Sequence, residues 1–344
     1  MTFDISHLPK VVLHDHLDGG LRPSTVLDLA HQIGYDGLPT TDPDDLAEWF
    51  DQSGAPSLEA YLGAFRHTVA VMSTPEALER VAYEAAEDLA ADGVVYAEIR
   101  FAPSLHRTDR MDRGAVVAAV LRGLEAGERD HGIVTRCILD AMRQEDDSSE
   151  IAELAVAVGG RVVGFDLAGP EAGYPASLHA EACRIALDGG TRLTIHAGEG
   201  DGVDSIAEAL DCGAERIGHG VRIVEDTTVG DGSIVALGPV ASRVKAEGIV
   251  LEVCPHSNLD TRMYPTAGDH PVGVLHRAGM PVTLNTDNRL MSNTSMSREF
   301  GLAVERHGFG LDDLRTVTMR AVDAAFCDEE TRRTVRRQVE DGYA

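Results

Sequence analysis

The chain has 344 residues, with 57 acidic and 30 basic side chains and a formal net charge of −27. A surface this acidic repels phosphate backbones and speaks against nucleic-acid binding, and a 43% hydrophobic content set in periodic segments excludes a disordered chain. No stretch approaches the ~20 apolar residues of a membrane helix, Met1–Lys10 lacks the regions of a signal peptide, and five scattered cysteines without a CxxC pair fit reduced thiols, so a cytoplasmic protein without membrane attachment is expected.

Short β-branched runs alternate along the chain with longer helical patterns. The first run, Val11–His16, leads into His14-Asp15-His16-Leu17-Asp18-Gly19-Gly20. Residues Leu21 to Thr74 then form a long stretch with helices of its own, expected to lie over the domain as an elaboration and not as a second domain. Thr74–Asp92 is predicted as a helix: Thr74 caps, Pro75 suits the first turn, and Leu78, Val81, Ala82, Ala85 and Leu89 share one face. Further runs follow at Val94–Ala102, Ile133–Ala141, Val162–Gly169, Arg192–Glu199, Arg216–Gly220, Ile249–Asn258 and Pro281–Asn288, with shorter helices at Ser205–Cys212 and His270–Ala278. The tail after Leu311 reads as a charged, solvated helical end carrying Arg332, Arg333, Arg336 and Arg337.

Several runs are almost continuously apolar, as parallel strands buried on both faces are. Eight strand–helix units in one chain predict a single α/β domain spanning residues 1–344: a closed (β/α)8 TIM barrel with extra helices inserted after strand 1 as a lid. An open doubly wound sheet would carry a glycine-rich phosphate turn after strand 1, and the sequence there holds no GxGxxG.

Polar residues gather at the C-terminal ends of these runs, where barrel enzymes build their active sites, and no equivalent cluster is expected at the N-terminal ends. The first run gives His14 and His16, the fourth Gly169, the fifth His196 and Glu199, the sixth His219, and the eighth Asp287 and Asn288. His14 and His16 are two apart on a strand, so both point to one side; two imidazoles in a barrel interior need partners or a metal, the alternative being one core and one surface histidine. Three histidines and one carboxylate suit a zinc site with a position open for water. Glu199 follows His196 by three residues, placed either for acid–base work or to cap the next helix. His219 lies between Gly218 and Gly220, which permit close backbone approach. Asp287 reads as a metal ligand, an orienter of water or a cap.

Other chemistries are excluded by what is missing. The two lysines, Lys10 and Lys245, are not at the end of the fourth run, so a dinuclear site bridged by a modified lysine is not expected. Cys254-Pro255 lacks the second cysteine of the zinc deaminase signature PCxxC, and no GxSxG announces a serine nucleophile.

Together these motifs resemble the adenosine deaminase family of the amidohydrolase superfamily: HxHLDG at His14–Gly19, DLAG at Asp166–Gly169, HAGE at His196–Glu199, GHG at Gly218–Gly220, CPxSN at Cys254–Asn258 and NTDN at Asn285–Asn288. The resemblance implies hydrolytic deamination of adenosine and 2′-deoxyadenosine. It implies one Zn²⁺ per chain, held by His14, His16, His196 and Asp287, with His219 beside the attacking water. It makes Glu199 the proton donor to ring nitrogen 1, with Asp287 and His219 managing the water. Gly169 would meet ring nitrogen 3 and Asp18 a ribose hydroxyl, with His16 also facing the substrate. Leu58, Tyr61, Leu62 and Phe65 fall on one helical face in the insertion, where the family has an apolar lid; ordinary core packing is the competing reading of that stripe. Asn288 stands where many members have a second aspartate, and its amide is expected to donate to ring nitrogen 7. The implied partner is a small purine nucleoside; adenine, an adenine nucleotide or aminodeoxyfutalosine would suit the same chemistry. A receptor-binding protein on the same fold, which would need secretion and gains nothing from an intact set of ligands, and a structural metal protein, which would need neither Glu199 nor an open coordination position, are the non-enzymatic alternatives. No feature of the sequence sets an oligomeric state.

Overall fold

The computed structural model describes residues 4–55 and 61–344. Eight parallel strands run in the order β1 (Lys10–His16), β2 (Val94–Phe101), β3 (Val134–Met142), β4 (Val162–Ala168), β5 (Arg192–Ala197), β6 (Arg216–His219), β9 (Val250–Val253) and β10 (Val282–Leu284), each bonded to the next. The sheet closes between its ends through a parallel bridge of Asp15 with Asp287. There His16 N–H donates to the Asp287 carbonyl at 2.8 Å, and Asp287 N–H to the His14 carbonyl at 2.9 Å. Lower in the same seam a side chain substitutes for backbone, as Leu13 N–H donates to Oδ1 of Asn285 at 2.9 Å. The expected TIM barrel is thus the observed fold.

The strands form because their residues are buried on both faces: Val11, Val12, Leu13 and His14 are all covered, as are Ile217 and Leu251 on later strands. Helices connect them along the outside. The longest expected helix spans Pro75–Ala91, where the Thr74 hydroxyl accepts from Ala77 N–H at 3.1 Å and Leu78, Val81, Ala82, Ala85 and Leu89 are buried. The insertion between β1 and β2 carries helices at Pro23–Ile33, Pro43–Phe50 and Phe65–Val71. No helix among the described residues is long and apolar enough to cross a membrane.

Four features differ from the sequence expectation. The run Ile249–Asn258 is strand only over Val250–Val253, because Pro255 cannot extend a ladder and instead starts a short helix at Pro255–Asp260. The run Pro281–Asn288 leaves the strand after Leu284, and Asp287 turns into the left-handed region at φ 57°. An antiparallel hairpin, β7 (Thr227–Gly230) with β8 (Ser233–Leu237), turns on Asp231-Gly232 with positive φ at both. Finally, a polar cluster does exist in the lower barrel. The Arg216 guanidinium lies 3.5 Å from the centre of the Phe326 ring and donates to the Ala324 carbonyl and to Glu98, plugging the floor. A single cap governs the entry to the helix leading into β2, so Thr74→Ala is expected to cost about 1 kcal/mol in urea unfolding with activity retained; an unchanged midpoint would remove the capping role.

Candidate active site

The structure gathers His14, His16, His196 and Asp287, with one donor atom from each all within 4.8 Å of one another. Strand alternation turns both β1 imidazoles inward. Nε2 of His16 lies 3.2 Å from Nε2 of His196, and the Asp287 carboxylate stands 3.3 Å from Nε2 of His14 and 3.4 Å from Nε2 of His16. The left-handed backbone of Asp287 costs about 1–3 kcal/mol and is held by its two hydrogen bonds to β1.

Each imidazole is oriented from behind by a carboxylate. Glu252 lies 2.9 Å from Nδ1 of His14, Asp140 3.3 Å from Nδ1 of His16, and Asp166 2.9 Å from Nδ1 of His196. A carboxylate at Nδ1 keeps the hydrogen there and leaves the Nε2 lone pair free for a metal. Arg100 bridges two of these acids, donating at 2.7 Å to both Asp166 and Glu252, while Arg216 donates to Glu252 at 2.6 Å. Burial opposes the charge on Glu252, but Arg100 and Arg216 hold its carboxyl well below the usual range.

These residues fit a divalent cation. Nε2 of His14 is buried without a protein hydrogen-bond partner. The site also favours positive charge: burial works against a charged His16, yet Asp140 and Asp287 push it up to about 9. Once a bound cation displaces the His16 proton, three imidazoles and a carboxylate form the donor set of an open zinc-type site. A second group, His14 with His219 and Cys254, lies equally close, but burial pushes the Cys254 thiol well up, away from the thiolate a metal needs.

Above the donors lies a cavity of about 340 Å³ lined by His16, Asp18, Tyr61, Leu62, Phe65, Gly169, His196, Glu199, His219, Asp287 and Asn288, among others. Of the expected site residues, His14 sits beneath this lining and Leu58 lies outside the described residues. Tyr61 is buried, and its hydroxyl lies 3.0 Å from that of Ser292, tying the insertion to the loop after β10. Asp18 is buried 3.6 Å from His106. Asn288 is buried with its Oδ1 unpartnered, and Gly19 makes room for it: a Cβ there would fall 2.1 Å from that oxygen.

Two of the carboxyls lining the cavity, Glu199 and Asp287, are driven apart. Burial raises the Glu199 pKa well above its ordinary value, and the nearby charges of Asp287 and Glu171 add to this. Burial acts on Asp287 too, but His14 and His219 hold it well below. One protonated acid and one ionised base therefore face the same space. Nε2 of His219 stands 3.5 Å from Glu199. Glu171 fixes the turn that carries Glu199 by accepting from the N–H groups of Gly198, Glu199 and Gly200 at 2.6, 3.0 and 2.7 Å, a concave arrangement made possible by Gly198 at φ 71°.

The sequence reading missed Arg100, Asp140, Glu171 and Glu252. For Arg100, Asp140 and Glu252 the available signal was a charged residue inside a largely apolar strand, as in Ile249-Val250-Leu251-Glu252-Val253 and Cys137-Ile138-Leu139-Asp140-Ala141; Glu171, in the loop after β4, had none.

The chain matches the family model described as adenosine deaminase over residues 9–342. It is 54% identical over 330 residues to an adenosine deaminase of Mycobacterium marinum, covering 94% of this chain and 91% of that relative. Among solved structures it is similar to an adenine deaminase from Arthrobacter aurescens, with a TM-score of 0.88, 28% identity and 97% and 98% of the two chains covered. It is also similar to an amidohydrolase from Burkholderia ambifaria with bound Zn, with a TM-score of 0.85, 26% identity and 98% and 91% covered.

If Asp140 orients His16 for a metal, Asp140→Asn is expected to weaken metal affinity about 10–100-fold in chelator competition; wild-type affinity would show that the contact has no such role.

Proposed function

The chain belongs to the adenosine deaminase family, and we propose that it hydrolyses adenosine and 2′-deoxyadenosine to inosine and 2′-deoxyinosine with release of ammonia, as a cytoplasmic enzyme of purine salvage using one Zn²⁺ per chain. The observation that carries this reading is the pair of carboxyls of opposite protonation, Glu199 and Asp287, facing one cavity over the metal donors.

His14, His16, His196 and Asp287 would hold the ion. When bound, Zn²⁺ supplies a Lewis acid that lowers the pKa of water towards ~7. The remaining work falls to side chains. Glu199 gives its proton to ring nitrogen 1, which makes carbon 6 electrophilic. Asp287 orients the attacking water and takes one of its protons as the oxygen bonds to carbon 6. That proton passes to the amino nitrogen, the carbon–nitrogen bond breaks and ammonia leaves. The hydroxyl proton goes to Glu199 as the carbonyl forms, which restores the acid. The Gly169 amide donates to ring nitrogen 3, the Asn288 amide to ring nitrogen 7, and Asp18 accepts from a ribose hydroxyl. Tyr61, Leu62 and Phe65 cover the apolar side and exclude water.

A neutral nucleoside suits the lining, because Arg66 is the one arginine or lysine on it among the described residues and its Nε is engaged by His67 at 3.1 Å. The likeness to an adenine deaminase favours the free base as a second reading. Side-by-side kinetics decide between them: a higher kcat/KM for adenosine than for adenine or AMP is expected, and the reverse order would overturn the nucleoside assignment.

Glu199→Gln is expected to lower kcat by at least ~100-fold while the metal stays bound. A chelator should abolish wild-type activity and Zn²⁺ restore it. Because burial raises the Glu199 pKa, the required proton is kept to higher pH than an ordinary carboxyl keeps it and is lost as pH climbs through the raised value, so turnover should fall on the alkaline side. A Glu199→Gln enzyme at wild-type rate would remove the residue from the mechanism.

A further inference from the structure

A chain of hydrogen bonds runs behind His219, away from the cavity. Nδ2 of Asn258 lies 3.1 Å from Nδ1 of His219. Oδ1 of the same Asn258 lies 3.2 Å from Nε2 of His270. Nδ1 of His270 in turn accepts the backbone N–H of Val272 at 3.2 Å. All three side chains are buried.

The polarity of this chain is fixed at its far end. A backbone N–H can only donate, so Nδ1 of His270 is an acceptor. Burial, with His307 nearby, holds the His270 pKa down to about 3, so the ring is neutral and its one hydrogen is on Nε2. That hydrogen requires an acceptor, which is Oδ1 of Asn258. The amide nitrogen of Asn258 therefore faces His219, and its two hydrogens go to Nδ1 of His219 and, at 3.4 Å, to the Met263 sulfur. Turning the amide over would set an N–H of Asn258 against the N–H of His270. Nδ1 of His219 is thus an acceptor.

Building on the deaminase reading above, we propose that Asn258 and His270 are positioning residues that lock His219 in the tautomer with its hydrogen on Nε2, so that His219 presents a hydrogen-bond donor to the reacting atoms and cannot serve as their base. A second proton on Nδ1 would point at the Asn258 amide hydrogens, so the lock also disfavours the imidazolium. Proton acceptance from water is left to the Asp287 carboxylate, and the His219 N–H stabilises the oxygen as it gains negative charge.

The test uses Zn²⁺-loaded, ¹⁵N-histidine-labelled protein, with the His219 resonances identified by their loss in His219→Gln. Nε2 of His219 should carry the hydrogen and Nδ1 should be bare. In Asn258→Asp the carboxylate accepts from Nδ1, so the tautomer should invert and kcat should fall about 10–100-fold with KM little changed. His270→Phe, which removes the donor, should lower kcat in the same way, and His270→Gln, whose amide restores a donor, should recover most of it. Hydrogen on Nδ1 in the wild type overturns the proposal. So does an Asn258→Asp protein that keeps the wild-type tautomer, whether or not its rate falls. Should His270→Phe fail to fold, Asn258→Asp and the wild-type spectrum decide alone. The spectrum does not depend on which purine is the substrate, so inactivity of the wild type on adenosine would refute the proposed function and leave the tautomer to be judged by itself.

Discussion

Arg100 is the residue on which the rest of this architecture depends. It is fully buried and grips two carboxylates, Asp166 and Glu252, each of which faces an imidazole of the metal site. A barrel of this kind is usually filled with layers of branched apolar side chains. Here the axis is ionic from the Phe326 plug to the cavity. Five carboxylates (Glu98, Glu252, Asp166, Asp140 and Asp287) are set against two guanidiniums, Arg100 and Arg216. Buried charge of one sign is tolerated only when matched, and breaking such a pair costs about 3–5 kcal/mol. The deficit of positive charge lies at the top of the stack, where the His14, His16 and His196 side chains converge, and a divalent cation there balances it.

The same economy of charge separates the two acids to which the proposed mechanism gives the proton transfers. Asp287 is next to imidazoles and stays ionised; Glu199 is on a turn whose backbone N–H groups are already taken by Glu171, so none remains to stabilise its own carboxylate. Burial then favours its protonated form. Two carboxyls of the same chemistry hold their protons differently in one cavity because their surroundings differ.

The outline of this site was legible in the sequence. Metal donors and acid lie at strand ends, where short motifs such as HxH, HAGE and NTDN record both residue type and spacing, and the alternation of β-branched and helical segments records the barrel. Arg100, Asp140 and Glu252 were harder to see, because a charge inside a strand reveals only that it needs a partner; which partner depends on the register and shear of eight strands. The Asn258–His270 chain is less visible still, since it joins a short helix to the start of another through side chains. The β7–β8 hairpin was signalled by Asp231-Gly232 between the β-branched stretches Thr227-Thr228-Val229 and Ile234-Val235, a turn whose two positive φ values suit that pair. The premature end of β10 had no local signal: Asn285 keeps its N–H on the Val253 carbonyl but meets the Leu13 N–H with its side chain.

That seam orders events in time as well as in space. Leu13 and Asn285 are 272 residues apart, and the Asp15–Asp287 bridge beside them joins the first strand to the last. Contacts of such sequence separation carry the largest loop-closure entropy and form late. His14 and His16 leave the ribosome early and wait for Asp287, so a nascent chain holds an incomplete donor set until nearly all of it has been synthesised. The four-residue donor set is therefore complete only once the first and last strands have met, so the centre is the last part of the barrel to be assembled.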